Sequence, residues 1–321
     1  MPLTFDMPFE QLKTYKGINP KPDDFDAYWS DALSEMRAVD PQVELVPADF
    51  QTSFADCFHM YFTGVKGARI HAKLLRPKQL SDNAHPAIIM FHGYTGDSGS
   101  WISKLPYVAA GFVVAALDCR GQGGLSEDVG GHTGTTHRGH IIRGLDGEPH
   151  NLLFRHIFLD AAQLARLVMD FPEVDEDRVG ATGGSQGGGL TIACSALEPR
   201  IKRSAAVFPF LTDYQRVWEM DQAKDAYTEL RTYFRHHDPL HERQTEIFTK
   251  LGYIDVQHLA ERIQADVLMA VGLMDTVCPP STQFAAYNKI TSTKSLVVYP
   301  DYAHEGLPGN DDNIFQFFNQ L

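Results

Sequence analysis

Residues 179–189 read Val-Gly-Ala-Thr-Gly-Gly-Ser-Gln-Gly-Gly-Gly and constrain this chain more than any other stretch. A short apolar run enters a glycine-dense turn, and a helix-compatible run at 190–197 leaves it. The turn holds Gly-x-Ser-x-Gly, with Ser185 between Gly183 and Gly187. A serine at the apex of a strand–turn–helix sits on strained backbone, and side chains beside it would meet the strand and the helix. That geometry lifts the hydroxyl clear of a sheet. It also aims the N–H of the next residue, Gln186, at the same space, with a helix N-terminus behind it. Glycine-rich turns are common, so the pattern gains weight only from partner residues later in the chain.

The surrounding rhythm fits such a turn. Apolar runs of strand length recur at 87–91, 112–117, 178–182, 205–208, 267–271 and 296–299, separated by helical stretches. Continuous apolar strands with crossovers predict a mostly parallel, twisted sheet with helices on both faces, an α/β architecture. At 321 residues the chain can bury a large core without staples, and 1–321 reads as a single domain. Residues 1–50 form an extension ahead of it. There Asp23 and Asp24 can cap a helix to about residue 39, whose Phe25, Tyr28, Trp29, Leu33 and Met36 fall on one face. Runs at 55–62 and 69–76, joined through Gly64 and Gly67, predict a hairpin. Two segments depart from the alternation: a Gly-, Thr- and His-rich loop at 117–150, and a polar helical insertion at 213–255 carrying Tyr227, Tyr233, Phe234 and Phe248. Long excursions of this kind shape pockets.

Composition narrows the partners. The net charge of −13 repels nucleic acid and anionic membrane, and no basic run is present. The longest apolar stretch, 107–117, is far too short to span a bilayer. The first residues lack a basic segment followed by an apolar run, so no secretory leader is expected. Four widely spaced cysteines without a C-x-x-C then read as reduced, buried thiols in a cytoplasmic protein.

A serine hydroxyl needs a base, usually histidine, with a carboxylate fixing its tautomer. In α/β-hydrolases the order is Ser, then Asp or Glu, then His. Asp275 follows the run at 267–271, and His304 follows the run at 296–299. Each sits where a loop leaves the carboxyl end of a predicted strand. Alone, Asp275 reads as a turn residue and His304 as a loop histidine; in order, each after its own strand, they read with Ser185 as an α/β-hydrolase triad. A second oxyanion donor is expected after the run at 87–91, in His92-Gly93-Tyr94-Thr95-Gly96, and the N–H of Tyr94 is the candidate beside that of Gln186.

Rival constellations are weaker. Gly121-Gln122-Gly123-Gly124 completes no nucleotide-binding fingerprint. His132, His137 and His140, and likewise His236, His237 and His241, lack H-E-x-x-H or companion cysteines. Neither a metal nor a cofactor is expected.

Arg120-Gly121-Gln122, Gly183-Gly184-Ser185-Gln186-Gly187 and His304-Glu305 together resemble the three signatures of carbohydrate esterase family seven, the acetyl xylan esterases that double as cephalosporin C deacetylases. Met1-Pro2-Leu3, the Phe25-Asp26-Ala27-Tyr28-Trp29 helix, Gly272-Leu273-Met274-Asp275 and Cys278-Pro279-Pro280-Ser281-Thr282 extend the resemblance over nearly the whole chain. Gly184 is a small departure, expected to loosen the elbow slightly. The resemblance implies an intracellular serine esterase acting on small acetylated substrates, with Ser185, Asp275 and His304 as triad and Tyr94 and Gln186 as oxyanion hole. It also implies a homohexamer whose sites face an internal cavity. Arg120 and Gln122 are expected to brace the loop over the elbow. The alternatives are a peptidase or thioesterase on the same triad, or a non-catalytic sugar-binding relative.

Overall fold

The computed structural model describes residues 5–78, 84–133 and 136–321; Met1-Pro2-Leu3 lies outside them. The strands in chain order are β1 (Glu44–Pro47), β2 (Ala55–Thr63), β3 (Arg69–Pro77), β4 (His85–Phe91), β5 (Val113–Leu117), β6 (Glu127–Asp128), β7 (His132–Thr133), β8 (Val174–Gly184), β9 (Arg203–Val207), β10 (Asp266–Gly272) and β11 (Lys294–Tyr299). Nine of them form one sheet in the order β1-β2-β3-β5-β4-β8-β9-β10-β11, and β6 and β7 form a separate two-stranded ribbon. Pairing is antiparallel from β1 through β5 and parallel from β5 to β11. The predicted apolar runs are these parallel strands: β5 is buried along its whole length.

Helices cover both faces. Leu153–Met169, Gln186–Leu197 and Pro280–Lys289 belong to the larger buried cluster. Asn310–Phe318 and the short Leu105–Ala109 close the other face over Ile88, Val114, Ala205 and Leu268. The helix Gln186–Leu197 carries three glycines in its first turns, each costing about 1 kcal/mol against alanine. Its complete burial offsets that cost, and the glycines permit it: a Cβ on Gly188 would stand 2.6 Å from the carbonyl oxygen of Val207, and one on Gly189 2.4 Å from that of Phe210.

The extension helix spans Phe25–Ala38 and packs as its periodicity predicts. Phe25 and Trp29 are fully buried, the Trp29 ring stacking on Phe158 at 5.9 Å. Each such side chain contributes about 1.5–3 kcal/mol. The expected cap is absent: Asp24 stands at the N-cap without a side-chain cap bond, because its carboxylate accepts from the Tyr253 hydroxyl instead. Within residues 1–50 the structure also places β1, an edge strand whose mixed burial leaves no clean alternation in the sequence. The insertion is helical, with Tyr214–Glu219, Thr228–His237 and Gln244–Leu251 as its helices. Among the described residues no helix is long and apolar enough to cross a membrane.

Candidate active site

Ser185 stands between β8 and the helix Gln186–Leu197 with φ 58° and ψ −120°, a positive-φ backbone conformation costing of order 1–3 kcal/mol. Hydrogen bonds on both sides hold it there. Its N–H donates to Val207 at 3.0 Å, and its carbonyl accepts from Gly189 and Phe210. The flanking glycines are sterically required. A Cβ on Gly183 would lie 2.6 Å, and one on Gly187 2.3 Å, from the carbonyl oxygen of Phe91. Gly184 differs, since its Cβ would meet the Phe208 ring at an ordinary 3.4 Å. The site has room for a larger residue, and crowding does not demand glycine there.

Asp275 and His304 arrive at the carboxyl ends of β10 and β11. Gly272 lets the two loops approach, because a Cβ there would stand 2.4 Å from the carbonyl oxygen of Tyr302. The Met274 N–H donates to that same oxygen at 3.0 Å, and Glu305 folds back to accept from the Ala303 N–H at 3.1 Å. His304 Nδ1 lies 2.8 Å from Asp275 Oδ2 and Nε2 lies 2.9 Å from Ser185 Oγ. A carboxylate only accepts, so Nδ1 carries the proton and Nε2 accepts from the serine. Asp275 is fully buried and is satisfied by the N–H groups of Val277 and Cys278 at 2.9 and 2.8 Å and by Gln283 at 3.3 Å. The Phe208 ring packs 4.5 Å from the imidazole. The structure thus brings Ser185, His304 and Asp275 into one hydrogen-bonded line.

The two expected oxyanion donors belong to different segments. Gln186 is the first residue of its helix, and Tyr94 lies in the loop after β4. Among the described residues no protein group accepts from the N–H of either. Their side chains do different work. The Gln186 amide is buried and exchanges hydrogen bonds with Gln122 at 2.8 and 3.1 Å. Gln122 Oε1 also accepts from the Thr95 N–H at 2.9 Å. One side chain therefore ties the Tyr94 loop to the elbow. His92 Nε2 accepts from Cys119 N–H at 3.0 Å, leaving Nδ1–H to donate to Gly93. Arg120 does not touch this assembly. It is wholly buried and forms a two-pronged pair with Asp160 at 2.7 Å on both prongs, fastening its loop to the helix Leu153–Met169.

The histidine-rich loop reaches the site through Tyr94, whose hydroxyl accepts from His140 N–H at 3.3 Å and whose ring meets His140 and Phe210 edge-on. Glu229, from the insertion, accepts from the Ile141 N–H at 2.8 Å, and burial pushes its carboxyl up to about 6. Burial holds His140 down at about 4, so at neutral pH it is an uncharged brace. Neither histidine group gathers metal-type donors among the described residues. A cavity of about 1010 Å³ lies beside the turn, lined by Met90, Tyr107, Gly184, Phe208, Glu305 and Phe315. Ser185 does not line it, so it is not the pocket above the hydroxyl.

Sequence reasoning missed Gln283 and Phe208; the thiol of Cys278 is fully buried beside Asp275 and His304. Burial, with Asp275 close by, pushes that thiol well above its ordinary range.

A parallel-centred sheet, a strained serine at its carboxyl edge, and an aspartate and histidine from later strand ends define an α/β-hydrolase. The family model for acetyl xylan esterases (AXE1) matches residues 1–321, and the chain belongs to that family of carboxylic ester hydrolases. Acetyl xylan esterase 1 from Thermoanaerobacterium sp. JW/SL YS485 superposes with a TM-score of 0.95 at 62% identity, over 98% of this chain and 99% of that one. The acetyl xylan esterase from Paenibacillus sp. R4 gives 0.90 at 34% identity over 98% and 99%. The acetyl esterase Axe7A of Xylanibacter ruminicola is 28% identical over 312 residues; the match covers 92% of this chain and 65% of that longer protein.

Proposed function

We propose that this chain is a serine esterase that removes acetyl groups from small acetylated sugars through an acetyl-enzyme intermediate. The observation that carries the proposal is the unbroken hydrogen-bonded line Asp275–His304–Ser185. His304 takes the serine proton as Oγ attacks the acetyl carbonyl. The N–H groups of Tyr94 and Gln186 receive the developing oxyanion, each such donor contributing about 100- to 1,000-fold in rate. Asp275 holds the imidazole in the tautomer that accepts this proton and steadies the imidazolium. His304 then protonates the departing sugar oxygen, and water releases acetate by the reverse route. No step calls on a metal or a cofactor.

The relatives' names point to acetylated xylan as the source of the ester; short acetylated xylo-oligosaccharides are the form assigned here by family resemblance, and the 3-acetoxymethyl group of cephalosporin C is likewise an acetate ester. A ring of six copies around an inner cavity, acting inside the cell, belongs to this reading by family resemblance. It would exclude polymeric xylan, and light scattering of the full chain tests the assembly. The decisive assay measures acetate release from acetylated xylo-oligosaccharides, cephalosporin C and p-nitrophenyl acetate, with wild type and Ser185→Ala. Wild type should turn over all three, and the variant should lose at least about 10,000-fold. A folded Ser185→Ala protein with wild-type turnover would end the proposal.

A further inference from the structure

The hydrolytic line contains a side chain it does not use. Esterase chemistry at Ser185 requires the backbone N–H of Cys278, which holds Asp275, but not its sulfur. Yet a carboxylate oxygen of Asp275, the sulfur of Cys278 and a ring nitrogen of His304 lie within 4.8 Å of one another. Among the described residues this is the one group of three metal-type donors so placed. A thiolate, an imidazole and a carboxylate are the donor types that select zinc and similar soft cations. In a tetrahedral shell, zinc bonds of about 2.3 Å to sulfur and 2.0–2.2 Å to nitrogen or oxygen put neighbouring ligand atoms roughly 3.3–3.7 Å apart, so side-chain shifts of up to about 1 Å close the triangle. The cluster is reachable, because the His304 side chain is 20% exposed and Ser185 is only partly buried.

We propose that Asp275, Cys278 and His304 form an inhibitory site for a thiophilic divalent cation, which captures the imidazole and switches the esterase off reversibly. The consequence for turnover rests on the proposed triad; the binding itself does not. An ion held by His304 through Nε2 occupies the lone pair that the serine proton needs; held through Nδ1 it sends the ring proton to Nε2 and breaks the carboxylate contact, so either way the serine–histidine–aspartate line is lost. The thiol gives up its proton to solvent on becoming a ligand. A fourth position stays open toward Ser185, where water or the serine hydroxyl completes a tetrahedral shell.

The test titrates zinc chloride against p-nitrophenyl acetate turnover, each protein referred to its own uninhibited rate. Wild type should be inhibited and should recover with EDTA. Cys278→Ala, and Cys278→Ser as the size-preserving second variant, should need at least about tenfold more zinc. Binding is read separately with cobalt(II). A sulfur-to-cobalt charge-transfer absorption should appear with wild type and with Ser185→Ala, and should be absent from both Cys278 variants. Equal zinc sensitivity in the folded cysteine variants, no cobalt band, or a band with undiminished wild-type turnover would each overturn the proposal. Full turnover by Ser185→Ala would instead strike the esterase mechanism and leave the cobalt result standing.

Discussion

Two aspartates in this molecule are equally buried and do opposite things. Asp275 and Asp255 both have no exposed surface. Asp275 accepts two backbone N–H groups, and its remaining oxygen faces an imidazole whose far nitrogen reaches a partly exposed serine. Asp255 accepts from the Asp213 N–H and from the backbone and side chain of Gln257. Asp213 in turn receives the Tyr15 hydroxyl and the N–H groups of Ile18 and Asn19, so the acid pair rivets residues 15–19 to the insertion. Burial, with Asp213 beside it, pushes the Asp255 carboxyl up to about 7. The comparison teaches that burial does not mark a functional carboxylate. What matters is whether its partner can pass a proton to a group that substrate can reach.

The largest expected effect separates the two. Asp275→Asn should lower kcat on p-nitrophenyl acetate by about 10,000-fold, because the wrong imidazole tautomer is favoured. Asp255→Asn should leave kcat within about threefold. If both substitutions cost activity equally, the distinction fails.

The next prediction concerns stability and pH. An acid whose folded value is raised holds its proton more tightly when folded, so its contribution is whole below about pH 4, the unfolded range. That contribution is lost as pH rises through about 7. Relative to Asp255→Asn, wild type should therefore lose melting temperature steadily from pH 4 to 7. The variant's missing acceptor sets a constant offset between the two, and the slope is the test. A pH-independent difference would remove the acid pair from the account.

A smaller effect tests the amide tie between the donor loops. Gln122→Ala should lower kcat about tenfold with little change in KM, since it loosens Thr95 and Gln186 without removing either backbone donor. An effect confined to KM would place Gln122 in substrate binding. The smallest concerns the elbow. Gly184→Ala should change turnover by less than about twofold and raise stability by about 0.4–1 kcal/mol, because the added Cβ meets only ordinary contacts. A large loss of activity would show that the turn needs glycine there for reasons other than crowding.

Much of the site was legible because it is local. The glycines around Ser185 answer to contacts with Phe91, across a strand neighbour that any parallel sheet supplies. Asp275 and His304 sit at strand ends, and strand ends show in the alternation of apolar runs. Other features were not legible. Gln122 and Gln186 are 64 residues apart, and nothing in either segment announces their amide pair. Gln283 reaches Asp275 only because its helix folds back under the loop.

By itself, then, the sequence determined the elbow, the order of the three proton-handling residues and the layered α/β architecture. These arise from backbone sterics and hydrophobic periodicity, which act over a few residues at a time. Tertiary structure alone decided which amides brace the oxyanion loops, how close the Cys278 sulfur comes to His304 and which buried acid is paired with another. Those outcomes depend on where distant segments meet in space, and the energy of a polar group out of water is set by its neighbours there.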